Sequence, residues 1–313
     1  MSSNAPQPID VEEVQKTADK PHGATRKLTK AEQRAVDAKT RLSSPWASGI
    51  AIILAILWTV PTFGLFVTSF RQPSDIRRTG WWTAVQNPDF TLSNYQAALD
   101  AGIGSTFINT IVITLPSVVI PIALALLAAY AFAWIDFPYK NLLFVSVFAL
   151  QIVPIQVTLI PLLTTYVRTG IAGSFWPVWL SHSIFALPLA IFLLHNFMKD
   201  IPASLIEAAR VDGAGHVKIF FKVLLPLLVP AIASFAIFQF LWVWNDLLVS
   251  LTFAPRPDIR PIMPALADLV GSRGSDWFLM SAGAFIAIIV PLIVFFSLQR
   301  FFVRGLLAGG VKG

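Results

Sequence analysis

Apolar residues along this chain gather into six long runs that are separated by more polar stretches. The runs cover, to within a few positions, residues 46–70, 105–134, 141–167, 175–198, 219–250 and 278–302. A helix needs roughly 20 apolar residues to cross the hydrocarbon of a bilayer, and each run has that length. Isolated strands are excluded because they leave backbone groups unpaired in lipid. The pattern predicts an all-α membrane protein with six transmembrane helices.

The composition agrees with this fold class. Of the 313 residues, 56% are hydrophobic and only 13% are charged, whereas a soluble domain carries about 25% charged residues. The chain has no cysteine, which excludes disulfides, thiolate catalysis and thiolate metal sites. Because proline removes a backbone donor, it predicts kinks within the runs. The prolines concerned are Pro61, Pro116, Pro121, Pro154, Pro161, Pro188, Pro230 and Pro291.

The distribution of basic residues predicts the orientation of the chain. If the N-terminus lies inside, the inner segments hold 16 Lys and Arg residues and the outer loops hold 7. Basic residues favour the cytoplasmic side, so the prediction is N-in and C-in. The net charge of +6 is then a signal of topology, and we expect lipid, not nucleic acid, around the protein.

The polar N-terminal segment and the tryptophans at the ends of the runs give two further predictions. Residues 1–44 are polar and charged, and they predict a largely disordered cytoplasmic tail before a transmembrane domain at 45–313. Tryptophans near the outer ends are expected to anchor the protein at the membrane interface. They are Trp81, Trp82, Trp176, Trp179, Trp242, Trp244 and Trp277.

The predicted spans contain almost no chemistry for coupling transport to an energy source. Five of the six have a charge-free core, with His182 and His195 as the ionisable exceptions, and Asp246 near the outer end of the fifth is expected to cap a helix or face water. Gradient-driven carriers usually bury ionisable groups in their spans. Phosphate-loop, zinc-protease and hydrolase motifs are also missing, so we expect no enzyme activity, cofactor or metal. Any uphill transport would draw its energy from another polypeptide.

A polar segment lies between the fourth and fifth runs, on the predicted inner side of the membrane. This polar island contains the sequence "IEAARVDGAGHVKIFFKVLLPLLVP", which continues into the fifth run. Asp200 and Pro202 predict the start of a short helix. Gly213 fits the left-handed position just past its end. A second helix is expected from about His216 into the membrane.

The spacing of apolar residues predicts one face of the short helix. Ile201, Leu205, Ala208 and Ala209 recur at helical spacing, and the small alanines would let a partner approach closely. Such a helix could transfer the force of a bound partner into the fifth span, or it could be an amphipathic helix that lies on the membrane surface. Spacing alone leaves these two interpretations open.

The island resembles the EAA motif of inner-membrane permease subunits of binding-protein-dependent ABC importers. The motif reads E-A-A, three residues, G, nine residues, then I-x-L-P, and Val223 stands at the isoleucine position. The matching residues are Glu207, Ala208, Ala209, Gly213, Leu225 and Pro226. Further segments, among them "TLSNYQAAL", "WNDLLVSLTF" and the C-terminal "AGGVKG", resemble the sugar-importer branch and the smaller permease of maltose-type transporters.

This resemblance implies partners and contact residues. The partners would be a second permease, two ATP-binding subunits and an extracytoplasmic sugar-binding protein. In the family, the EAA helix and the C-terminal tail both contact the ATPase. The last outer loop contacts the binding protein. The last outer loop is here about 252–277. The implied ATPase-coupling residues are Glu207, Ala208, Ala209, Arg210, Asp212, Gly213, Ala214 and Pro226, and the implied C-terminal contacts are Gly309, Gly310, Val311 and Lys312.

The resemblance leaves the substrate site unassigned. In maltose-type transporters the sugar contacts lie mainly in the larger permease, so His182, Gln151 and Gln156 are only candidates here. An ATP-driven import of a mono- or oligosaccharide, such as an α-glucoside, is the leading hypothesis. A gradient-driven carrier acting without an ATPase is the alternative. A phosphotransferase component would need a phosphorylated Cys or His on a soluble domain, for which no segment is evident.

Overall fold

The computed structural model describes residues 45–270 and 276–310, with side chains described as far as residue 297. The chain divides into two compact units, residues 1–67 with 311–313, and residues 68–310. Of the first unit the structure describes residues 45–67, which form most of helix α1. The predicted tail at residues 1–44 lies outside the described residues, so its boundary with the transmembrane domain stays a prediction.

The described residues form helices and connecting loops. The described part contains no strand, and one isolated bridge joins Arg71 and Phe90. The helices are α1 Pro45–Ser69, α2 Pro73–Ile76, α3 Ser93–Asp100, α4 Ile103–Trp134, α5 Lys140–Ala149, α6 Ile155–Arg168, α7 Trp176–Lys199, α8 Ala203–Val211, α9 His216–Ile219, α10 Leu225–Leu227, α11 Val229–Trp244, α12 Leu248–Phe253, α13 Ile262–Val270 and α14 Trp277–Gly310. Short 3-10 turns lie at Trp81–Val85 and Leu150–Ile152, and a π-helical turn lies at Phe220–Leu224.

Four of the six predicted spans are single helices. Among the described residues, α1, α4, α7 and α14 are long and apolar enough to cross a membrane. The other two runs are bent pairs, 140–152 with 155–168 at 100° and 216–227 with 229–244 at 71°. The prediction of an all-α membrane protein is therefore confirmed, with four spans, or six if each bent pair makes one crossing.

The two sharp bends occur where proline meets a local loss of helical conformation. Val153 precedes Pro154 and takes an extended conformation with ψ 119°, as the residue before proline prefers. The second bend lies at Leu228, between Pro226 and Pro230. Pro116 and Pro121 lie inside the unbroken α4, so a proline alone did not decide where a span breaks.

Small residues set the packing of the unit at residues 68–310. Ala125, Ala129 and Ala133 on α4 and Ala186 and Ala190 on α7 are all buried. Side chains of this size let two helices approach closely in a membrane, where packing and not the hydrophobic effect holds them. The same core includes residues from α8, α9 and α11, so the polar segment that contains α8 shares one packed cluster with the spans.

Two of the tryptophans predicted as interfacial anchors form hydrogen bonds between helices. Trp244 is 1% exposed, and its indole N–H donates to the Ala287 carbonyl of α14 at 3.0 Å. The indole of Trp179 donates to the Val112 carbonyl of α4 at 3.0 Å. The interfacial prediction is wrong for Trp244, because a buried indole N–H needs a partner and α14 supplies one.

Asp246 caps a helix, as its position in the sequence predicted. Its carboxylate accepts hydrogen bonds from the backbone N–H groups of Val249, at 3.2 Å, and Ser250, at 2.8 Å. These are donors of the first turn of α12 that have no partner within the helix. Its other neighbour is the buried His182, whose Nε2 lies 3.7 Å from the carboxylate.

The positions of the loops relative to the membrane can be tested with single cysteines, since the natural chain has none. We expect Val85→Cys and Thr169→Cys to react with a membrane-impermeant maleimide in intact cells. Val211→Cys, at a position 88% exposed, should react only after permeabilisation, because basic loops stay inside. Labelling of Val211→Cys in intact cells would contradict six crossings with an N-in start.

Candidate functional site

The candidate site is the polar loop of residues 200–215, which joins α7 to α9. Pro202 stands just before α8 in an extended conformation, with φ −58° and ψ 130°, so the predicted helix start is confirmed. The loop contains one short helix and one tight turn. Both are fixed by specific contacts, and these decide which residues face outward.

Ile206 attaches α8 to the core. Its side chain is 2% exposed and belongs to the same cluster as Met198 of α7 and Ile219 of α9. Ala209, one turn on, packs against this cluster as well. A fully buried isoleucine contributes roughly 1.5–3 kcal/mol relative to an exposed one. The short helix is therefore held by its own core contact and not only by its two ends.

The predicted apolar face of α8 is partly wrong. Ile201 and Ala209 do pack against the core, but Leu205 is 45% exposed and Ala208 faces outward with it. Leu205 and Ile206 both fit helical spacing, so the pattern could not say which one turns inward. The position of the core relative to α8 selected Ile206, a residue that sequence reasoning missed.

The turn after α8 closes through a Schellman motif. Ala214 N–H donates to the Ala209 carbonyl at 2.9 Å, and Gly213 N–H donates to the Arg210 carbonyl at 3.0 Å. Gly213 has φ +74°, a conformation that residues with a Cβ rarely adopt. A Cβ at Gly213 would meet no atom within 4 Å, so backbone conformation and not space requires glycine here. The prediction that Gly213 takes a left-handed conformation just past the helix end is confirmed.

The turn also contacts a second helix through His216. The Tyr130 hydroxyl, near the end of α4, lies 2.7 Å from His216 Nδ1 in hydrogen-bonding geometry. The Tyr130 ring packs edge-on against Phe220 with centroids 5.5 Å apart. Sequence reasoning missed Tyr130, although a tyrosine within an alanine-rich span signals a hydroxyl that needs a partner.

The loop places most of the residues of the motif at the surface. Glu207, Ala208, Arg210, Asp212 and Gly213 are exposed. Ala214 is half-buried, and Pro226 lies separately, in the first turn of α10. Gly309 and Gly310 end α14, and Val311 and Lys312 lie outside the described residues. The loop therefore offers an outward surface of small, apolar and charged groups on a fixed turn.

The predicted last outer loop is also held in place. Asn109 of α4 donates through Nδ2 to the carbonyls of Asp258 and Arg260, both at 3.1 Å. Arg256 pairs with Asp258 through two hydrogen bonds of 3.0 and 2.8 Å. These contacts fix residues 254–261 against α4. Residues 271–275 of this predicted loop lie outside the described residues.

Two of the three candidate sugar residues share a cavity. Gln151 and Gln156 line a cavity of about 460 Å³ beside the break between α5 and α6. His182 does not line it, because that side chain is fully buried beside Trp242 and Asp246.

Taken together, the straight and bent apolar helices define a multi-pass membrane protein with an exposed polar loop. Residues 121–307, more than half of the chain, match the family described as "Binding-protein-dependent transport system inner membrane component". The chain belongs to this family, and it is a multi-pass protein of the inner membrane.

Curated relatives agree with this membership, and a solved structure has the same fold. The chain is 54% identical over 270 residues to the osmoprotective compounds uptake permease protein GgtD of Synechocystis sp., covering 84% of this chain and 91% of that protein. It is 50% identical over 258 residues to the alpha-glucoside transport system permease protein AglG of Rhizobium meliloti, covering 78% and 68%. A bacterial ABC transporter for import of the acidic polysaccharide alginate has the same fold, with TM-score 0.67, 19% identity and coverage of 89% and 100%.

The attachment of α8 can be tested by limited proteolysis of the purified protein. Ile206→Ala should speed tryptic cleavage after Arg210 at least about tenfold, because the lost core contact, roughly 2–5 kcal/mol, raises the population of the opened loop. Leu205→Ala, its neighbour on the exposed side, should cleave at the wild-type rate. Fragments are identified by mass spectrometry, and equal rates for the two variants would show that Ile206 does not hold the loop.

Proposed function

We propose that this chain is a permease subunit of an ATP-driven sugar importer. It pairs with a second permease, receives its substrate from an extracytoplasmic binding protein, and takes its energy from two ATP-binding subunits. Each bent pair makes one crossing, so that six spans place both termini and the polar loop in the cytoplasm. The polar loop is the contact with the ATPase.

The observation that carries the proposal is the rigid presentation of the motif. Ile206 and the turn at Gly213 hold α8 in one orientation, while Glu207 and Ala208 remain exposed. Beside them, Val211 is 88% exposed and Leu205 is 45% exposed. We assign these exposed apolar side chains, with Glu207 and Ala208, to the surface that the ATPase contacts. A partner that grips this surface can move the spans joined to it.

The contacts of the loop define which spans would move. Met198 of α7 and Ile219 of α9 pack in the same cluster as Ile206, and His216 bonds Tyr130 of α4. A displacement of α8 is therefore passed to three elements. In the proposed cycle, ATP-driven closure of the ATPase dimer moves the loops of both permeases and opens the pathway outward. Hydrolysis returns it inward.

The substrate class rests on the relatives. AglG is named for alpha-glucoside transport and GgtD for uptake of osmoprotective compounds. Both share half or more of their aligned residues with this chain, so we assign an uncharged α-linked glycoside as the substrate. The predicted C-terminal contacts, Gly309 to Lys312, complete the proposed ATPase interface, and residues 254–261 belong to the proposed surface for the binding protein.

Charge reversal on α8 tests the coupling role. In cells that carry the whole transporter, Glu207→Lys should lower ATP-dependent uptake of a labelled α-glucoside at least tenfold, equivalent to about 1.4 kcal/mol, because it changes the docking surface. The amount of the subunit in the membrane should stay unchanged, while co-purification of the ATPase falls. Asp89→Lys, the same charge change on a different exposed loop, serves as the matched control.

Two outcomes would contradict this function. Normal uptake by Glu207→Lys, with the ATPase still bound, would remove the coupling role of the loop. Uptake by the isolated subunit in vesicles without any ATPase would instead indicate a gradient-driven carrier.

A further inference from the structure

The break between α5 and α6 opens beside two adjoining cavities. The larger, of about 460 Å³, is lined by Gln151, Gln156 and Thr158 together with apolar side chains of α6 and α7. The smaller, of about 130 Å³, is lined by Gln239 and Trp242 of α11. Gln151 and Phe185 line both, so the cavities adjoin. The larger one lies within the roughly 300–1,000 Å³ that is usual for small-molecule sites.

The break needs polar surroundings. Val153 and Pro154 are extended, with ψ 119° and 133°, so the hydrogen-bond ladder of the helix is interrupted there. In a membrane, interrupted backbone is tolerated only where protein buries it or where it lines a water-filled cavity. Within this chain Ile152 is 82% exposed and Gln151 is also exposed. The break therefore needs either protein or a water-filled cavity beside it, and the cavity of about 460 Å³ offers space for water.

Gln239 supplies a buried polar group at the inner wall. Its side chain is 1% exposed, and Nε2 donates to the Ser117 carbonyl at 3.2 Å. Its Oε1 has no hydrogen-bond partner within the described part of the chain, and neither do the hydroxyls of Ser117 and Thr114. An unpaired buried acceptor costs roughly 1–3 kcal/mol. A ligand hydroxyl that reaches Gln239 would recover this energy.

The lining chemistry selects the ligand. No Asp, Glu, Lys or Arg lines either cavity, so a charged ligand would find no counter-ion. Glutamine amides offer donors and acceptors for hydroxyl groups, and Trp242 and Phe185 offer flat apolar surfaces. This combination suits a ring with hydroxyl groups on its rim and C–H groups on its faces, which is an uncharged glycosyl unit.

We propose that Gln151, Gln239 and Trp242 form a subsite for a neutral glycosyl unit on the translocation path of this subunit. Gln156 lines the larger of the two cavities beside this subsite. The proposal rests on the proposed import function and extends it, since it places substrate contacts in this permease as well as in its partner. Binding displaces water from the break and pairs the Gln239 oxygen with a sugar hydroxyl.

Protection of a single cysteine tests the subsite in the whole transporter, reconstituted with its partner subunits. Gln156→Cys should react with a water-soluble maleimide, because the cavity contains water. A neutral α-linked disaccharide at about twice its Kd should slow this labelling about threefold by simple occupancy, and a uronate at the same concentration should not. Thr169→Cys, which lies outside the cavity, is the control and should be labelled equally with and without sugar.

A second substitution connects protection to Gln239. Gln239→Leu in the Gln156→Cys background should abolish protection, because the apolar side chain offers no hydrogen bond and keeps a similar volume. Gln86→Leu, the same exchange on an exposed loop, should leave protection intact. Both variants should co-purify with the second permease and the ATPase in the same amount as the natural subunit, which shows that the proteins are folded and assembled.

The outcomes distinguish a failure of the proposed subsite from a failure of the proposed import function. A transporter that imports the disaccharide but shows no protection, or equal protection by the uronate, would overturn the subsite and leave the import function standing. Failure of Gln156→Cys to label would also overturn it, since the cavity would then be filled by protein or lipid. A complex that imports no sugar would remove the import function and the subsite together.

Discussion

Hydrocarbon accepts neither an unpaired charge nor an unpaired backbone group, and this constraint shapes every part of the chain. It forces the apolar runs into helices and moves the basic residues into the loops. It makes the polar loop between α7 and α9 a place where charged side chains meet the ends of the spans. It also makes the broken helix α5–α6 informative, because interrupted backbone in a membrane requires a polar or protein-filled neighbourhood.

The polar loop between α7 and α9 shows how tertiary contacts give a short helix a fixed orientation. A helix of nine residues, Ala203–Val211, is marginal by itself in water. Burial of Ile206 and closure of the turn at Gly213 give it a fixed orientation. The Tyr130–His216 contact adds α4 to the elements that the loop touches. Stiffness therefore comes from tertiary contacts, while the exposed residues remain free to bind a partner.

Features that depend on local sequence were predictable, and features that depend on tertiary position were not. Helix α4 was expected at 105–134 and lies at Ile103–Trp134, because long apolar runs specify spans. Gly213 was predictable because only a left-handed residue ends such a turn. The choice of Ile206 over Leu205, the burial of Trp244 and the orphaned oxygen of Gln239 depend on which helices pack together. The periodicity of apolar residues in one sequence does not show which helices pack against each other. The 100° break at Pro154 was likewise not predictable, because most of the prolines in the apolar runs lie inside helices. These are Pro61, Pro116, Pro121, Pro161, Pro188 and Pro291.

Amide hydrogen exchange of the peptide that spans residues 207–216 measures the stiffness of the loop most directly. The exchange is measured in the purified permease complex, first without and then with the ATPase. A rigid loop predicts slow exchange for the N–H groups of Asp212, Gly213 and Ala214, which donate to the carbonyls of Ala208, Arg210 and Ala209 respectively. Ile206→Ala should then raise their exchange rate, and ATPase docking should lower it in the natural protein. Exchange of these three groups as fast as in an unstructured peptide would show that the loop is flexible. Such a loop could not transmit force into the spans.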